Sequence, residues 1–291
     1  MAQARTNRTR NLALIGILGL IAVGFLAWWF IFRDTSAASV DSVAAAEARE
    51  QAIAEAAGDT SSGDAEAPAD DATESSTDDG GSSSAIDSGQ ADSATSAGSP
   101  IEGLWAVDSS IGTFDDACLD LACSAGFVGF RINEELVGFG AKTVVGRTPN
   151  VTGTMQITGS QITSVEIVAD MTAIETDDSG RTSALKSAAG GLETNTFPEA
   201  SFVLAEPIEL GSVPVEGAAV NVNAVGDLTV HGVTNRVTIP LTAEMQAGLV
   251  VVFGSLVDMQ LADYDIPKPT SVVVLSVEEI ATMELQLFFS R

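Results

Sequence analysis

The chain has 291 residues, with 40 acidic against 13 basic side chains and a formal net charge of −27. That balance excludes nucleic acid as a partner, because binding phosphates needs a basic face that releases counterions, and it disfavours an extended anionic ligand for the same reason. Aromatic residues are only 5% of the sequence while glycine is abundant, a balance that suits many strands joined by tight turns better than a helical bundle.

Residues 12–32, LALIGILGLIAVGFLAWWFIF, carry no charge, and about 21 residues at 1.5 Å each reach ~32 Å, the thickness of a hydrocarbon core. Arg5, Arg8 and Arg10 precede this run and an acidic tract follows Arg33. The positive-inside rule therefore predicts a transmembrane helix with residues 1–11 in the cytoplasm and everything after the span outside, at the cell envelope. Trp28 and Trp29 fall at the outer end, where indoles sit well among headgroups. Ser36-Ala37-Ala38 leaves open a cleaved signal peptide, although the apolar run is long for one; in both cases the remainder is exported.

Residues 33–100 are built from Ala, Ser, Asp, Glu, Gly and Thr with almost no large apolar side chain. Such a segment cannot bury enough surface to offset its ordering entropy, so it is expected to be a disordered acidic linker. Val43 to Ala57 is rich in helix formers, but a helix of that length is marginal on its own in water. As a coil, a linker of about 67 residues has a mean reach of order 45 Å, enough to stand a domain off the bilayer or let it swing back.

From residue 101 to 291 the pattern becomes period two, as in Val165, Ile167, Ala169 and Met171 alternating with Ser164, Glu166 and Asp170. Strands are predicted around residues 105–108, 127–133, 152–158, 164–171, 201–204, 219–230, 237–245, 249–259, 271–277 and 281–289, which together suggest an antiparallel barrel or sandwich. Ser179 to Gly191 reads as a short helix with a glycine stop, placing Leu185 and Leu192 where they would cap one end. Residues 226–245 read as a hairpin turning at His231-Gly232-Val233-Thr234-Asn235. Pro240 lies inside its second strand, which implies an edge, a bulge or a barrel rim.

Several short motifs stand in order along this region: Trp105-Ala-Val-Asp108-Ser109-Ser110, Val145-Gly-Arg147 followed by Val151-Thr-Gly153, Thr176-Asp177 before Arg181, Phe197-Pro198-Glu-Ala-Ser-Phe202, and Gly226-Asp-Leu228-Thr-Val-His231-Gly232-Val233-Thr234. Together they resemble the YceI-like family, the polyisoprenoid-binding lipocalin-like proteins, from about Gly103 to Arg291. The resemblance implies an all-β fold: an eight-stranded antiparallel barrel with a short helix at its mouth, enclosing an apolar cavity for a polyprenyl phosphate or a quinone tail. Two elements differ from the family's common pattern. Arg181-Thr-Ser-Ala-Leu185 lacks an acidic residue and a histidine, and Gly129-Phe-Arg131 lacks a histidine, so contacts made by those side chains in relatives are not carried over.

For the cavity wall the candidates are Phe130, Met171, Phe202, Leu204, Phe253, Leu285 and Leu287, each with plain core packing as its alternative. His231, the one histidine, either fixes its own hairpin or contacts a ligand headgroup. No catalytic residue is expected, since no G-x-S-x-G elbow accompanies that histidine, and no metal site, since one histidine and two cysteines show no ligand-like spacing. Cys118 and Cys123 lie in an apparent loop insertion and, outside the cell, are expected to pair with each other. The expectation is a membrane-anchored, exported barrel that holds an apolar lipid and has no cofactor. Its rival is a filled barrel serving as a surface interaction or structural module; protein partners cannot be read from the sequence.

Overall fold

A computed structural model describes residues 36–60, 101–138, 140–211, 214–269 and 274–291. The predicted membrane span at residues 12–32 and most of the predicted linker lie outside the described residues, and among those described no helix is long and apolar enough to cross a membrane. The strands are β1 (Gly103–Val107), β2 (Phe127–Leu136), β3 (Gly140–Thr148), β4 (Val151–Thr158), β5 (Gln161–Asp170), β6 (Glu175–Thr176), β7 (Glu199–Leu204), β8 (Ile208–Glu209), β9 (Ala219–Val230), β10 (Val233–Gln246), β11 (Leu249–Gln260), β12 (Val274–Val277) and β13 (Ile280–Ser290). The helices are α1 (Val43–Thr60), α2 (Ala117–Asp120) and α3 (Ser179–Ala184).

Every pairing among the strands is antiparallel, in the order β1-β4-β5-β7-β9-β10-β11-β13. The last strand then meets the first, with Ala106 opposite Ser290 and Val107 opposite Phe289, so eight strands close into a barrel without a free edge. The other half of β13 pairs with β2, and β2–β3–β6 prolongs the wall beyond the closed ring. Trp105 on β1 is 0% exposed, its indole N–H donating to the Ile101 carbonyl at 2.9 Å.

The β9–β10 hairpin turns on two residues, His231 and Gly232, with φ of 52° and 75°. The reversal is thus shorter than the sequence suggests, because His231 itself adopts the left-handed conformation and Asn235 is already in β10, opposite Leu228. Pro240 is exposed and pairs with Asn223 of β9, while the β10–β11 ladder begins one residue later at Leu241. It therefore sits where one side of the ladder ends, and its missing N–H leaves no gap there.

Two features were not legible. β3 was absent from the predicted strands because Val144 to Thr148 are all buried, so alternation is lost. More consequential, residues 36–60 do not behave as part of a disordered linker: they fold onto the outside of the barrel. α1 presents Ala45, Arg49, Ala52 and Ile53 inward, one helical stripe, with Glu47, Glu50 and Glu55 facing away. Ala52 and Ile53 cluster with Ile111, Leu249, Val251 and Phe288, so the barrel supplies the apolar surface that the helix lacks alone.

Beside this helix lies a second, polar layer on the barrel exterior. Glu284 of β13, 1% exposed, accepts from Arg147 Nη2 at 2.6 Å and from Arg131 Nε at 2.9 Å. Burial lowers the Arg147 pKa, and the facing Glu284 carboxylate opposes that shift. The sulfurs of Cys118 and Cys123 are bonded, and the carbonyls of these two residues accept from Arg147 Nη1 and Gln286 Nε2 at 2.6 and 3.1 Å. The disulfide loop is thereby tied to two strands it does not belong to.

Candidate functional site

Inside the barrel is a cavity of ≈ 560 Å³. Its wall follows from strand alternation: the inward positions of β10 are Ile239, Leu241, Ala243 and Met245, and those of β13 are Ala281, Met283, Leu285 and Leu287. A barrel of eight strands is narrow enough for bulky side chains to fill, so the open lumen needs a reason. Two glycines provide one. A Cβ on Gly146 would stand 2.4 Å from the Phe130 ring, and a Cβ on Gly226 2.3 Å from the Phe202 ring. Each aromatic ring thus lies against the bare backbone of a glycine on the neighbouring strand, flat along the wall instead of across the lumen.

One end of the cavity is bounded by α3 and the turn after it, through Leu185, Leu192 and Gly190. The predicted helix over residues 179–191 is in fact α3 followed by a separate 3-10 turn at Ala188–Gly190. Asp178 caps α3, its carboxylate accepting from the Arg181 backbone N–H at 2.8 Å. The Arg181 side chain reaches the cavity rim, where Nη2 bonds Glu134 at 2.5 Å and Nη1 bonds Asp177 at 2.6 Å; Lys142 also pairs with Asp177. Among the described residues lining the cavity, the charged ones are Arg181, Glu134, Asp178 and Glu244. The opposite end is bounded by Ile101, Ile208, Leu210 and Pro214.

Of the candidate wall residues, Phe130, Met171, Phe202, Leu285 and Leu287 line the cavity. Leu204 does not; it is half-buried against the same core beyond the lumen. Phe253 is on the other side of the wall altogether, clustered with Val40, Cys118 and Cys123 and covered by the Arg49 guanidinium at 3.7 Å. The outer face of β11 is buried as well as the inner one, so burial there does not mean lumen. His231 is also outside. Its Nδ1 lies 3.2 Å from the Tyr264 carbonyl, which only accepts, so Nδ1 carries the proton and pins the hairpin to the Leu261–Tyr264 turn. Phe197 packs on the imidazole at 4.1 Å between centroids, and burial raises the pKa of the Tyr264 hydroxyl. Ile239, Leu241, Val252 and Met283 also line the cavity, and the sequence places them only within the strands predicted over residues 237–245, 249–259 and 281–289.

No group of three or more metal-ligating side chains occurs among the described residues. What the arrangement can do is remove a long apolar chain from water, its polar end meeting the charged residues of a rim.

The YceI-like domain model matches residues 119–288, more than half of the chain. Among solved structures, the chain is similar to a polyisoprenoid binding domain from Saccharophagus degradans implicated in plant cell wall breakdown, with 17% identity and a TM-score of 0.47 over 64% of this chain and 97% of that one. It is also similar to Burkholderia cenocepacia BcnA, at 16% identity and TM-score 0.42 over 60% and 99% of the two chains. A third is a Campylobacter jejuni YCEI protein, at 12% identity and TM-score 0.40 over 49% and 82%. No curated protein matches the chain. With its ordered motifs, closed barrel and family match, the chain belongs to the YceI-like domain family.

Proposed function

We propose that the protein binds an apolar lipid, a polyisoprenoid carried by a polyprenyl phosphate or a quinone, inside the barrel, and that it stores or transfers this lipid at the cell envelope while anchored by the span at residues 12–32. The observation that carries the reading is the ≈ 560 Å³ cavity with its aliphatic and aromatic wall. It lies within the range of ligand pockets, about 300–1,000 Å³, and is several times the ~150 Å³ of an apolar cavity that takes up benzene. Each buried methylene contributes ~0.8 kcal/mol before entropy costs, so a chain of several isoprene units gains affinity from length alone. A binding role needs no nucleophile or cofactor, and none is assigned. The family membership points the same way.

The rival, a filled barrel working only through its surface, has no comparable support, because the lumen is open. The test is mass spectrometry of an organic extract of protein purified from membranes. A co-purifying isoprenoid is expected. Empty protein that also fails to take up added polyprenol would end the lipid reading.

A further inference from the structure

In a barrel of this kind the outward face of a strand meets water, yet Glu284, Gln286 and Phe288 on the outer face of β13 are 1%, 0% and 0% exposed. What covers them is the disulfide loop and residues 37–57. Three contacts hold the start of that segment: Arg131 donates to the Ala37 carbonyl, Arg147 Nη2 to the Ala38 carbonyl at 2.8 Å, and the Ala38 N–H to the Leu121 carbonyl; within the segment Arg49 Nη1 donates to the Val40 carbonyl at 2.8 Å. Arg49 also reaches Gln286 Oε1 at 3.2 Å and stacks on Phe253. Two guanidinium groups that share the single Glu284 carboxylate thus use remaining donors on backbone carbonyls of a segment more than ninety positions away in sequence.

We infer that the barrel is held close to its membrane anchor by this non-covalent clasp at residues 37–57, so that the short stretch before Ala37, and not residues 61–100, sets its distance from the bilayer. The inference rests on the proposed membrane span. Between the end of that span at Phe32 and the first clasped residue, Ala37, only five residues intervene or end the run, a reach of roughly 17 Å when fully extended. A coil of about 67 residues would give a mean separation of order 45 Å. The barrel is therefore held within contact range of the lipid bilayer, so that a lipid passes between membrane and lumen without the domain travelling to reach it.

The test uses the full chain with an affinity tag at Met1 and a protease site introduced between Gly80 and Gly81. After cleavage in mild detergent, the 81–291 fragment stays on the tag resin if the clasp holds. Its release at physiological salt would overturn the inference. Replacing Ala52 and Ile53 together by Glu and Asp should speed that release at least about tenfold, since it puts charge into the buried helix stripe without touching a strand; unchanged retention would also overturn it. In phosphatidylcholine–phosphatidylglycerol vesicles the cleaved fragment floats with the lipid. If fragments remain associated on the resin but uncleaved protein does not float, the membrane reading has failed and the clasp between segments stands; if uncleaved protein floats and the cleaved fragment does not, the clasp has failed.

Discussion

At Gly226 the absence of a side chain decides the shape of the lumen, because a Cβ there would meet the Phe202 ring at 2.3 Å and the Val203 carbonyl at 2.6 Å. Gly226→Ala must push that ring toward the lumen or part the strands, and a cost of about 1–3 kcal/mol is expected, measured by urea unfolding, together with weaker lipid uptake. Glu284 makes the opposite case, a charge kept inside. Glu284→Leu leaves the Arg147 guanidinium buried without its carboxylate, and a loss of about 3–5 kcal/mol is expected in the same assay. Adding Arg147→Met should restore part of that loss, because the stranded buried charge goes while Arg131 still lacks its carboxylate and the Cys118 and Ala38 carbonyls lose their donor. If the double variant is no more stable than Glu284→Leu alone, the ion pair is not the source of the cost. Neither role is legible in the sequence: Gly226 stands there only as part of a family motif, and Glu284 only as a position inside the strand predicted over residues 281–289.

At the scale of elements, strands whose lumen side alternates were readable, β11 and β13 included although their outer faces are covered, and β3 was not. β9, β10 and β13 alternate cleanly on their lumen side, so their extents were anticipated to within a few residues. β3 failed to announce itself because the disulfide loop and the residues around Ala38 bury its outer face. Phe253 was misplaced for the same reason: it is apolar and buried, but under α1 and not in the lumen. The helix at the cavity end was legible in kind, and its N-cap gives a local test. Asp178→Ala removes the acceptor for the Arg181 N–H and should cost about 1 kcal/mol, with faster amide exchange confined to α3. An unchanged exchange pattern would show that packing against the barrel, and not the cap, holds the helix.

For the whole molecule, closure between β1 and β13 leaves a ring with no free edge, and the side chains chosen for its interior leave a hollow. Filling that hollow separates storage of lipid from stability of the fold. Ala243→Phe, on the lumen face of β10, is expected to abolish co-purifying lipid while the melting temperature of the lipid-free protein stays within about 2–4 °C, the shift that about 1 kcal/mol produces in a domain of roughly 150–250 residues. Retained lipid at the wild-type level would place the ligand elsewhere.

The sequence by itself determined the strand-rich class, the order of the motifs that mark the family and the approximate strand positions, because side-chain alternation and turn chemistry are local properties of the chain. Only the tertiary structure decided that the lumen is open, which buried phenylalanines face it, and that residues 36–60 belong to the folded unit. Those outcomes depend on what each strand or helix meets across tens or hundreds of positions: a ring against a distant glycine, a guanidinium against a distant carbonyl, an alanine-rich stripe against an apolar outer wall. An alanine-rich helix that is marginal in water becomes stable when another surface completes it, and no pattern within its own residues names that surface.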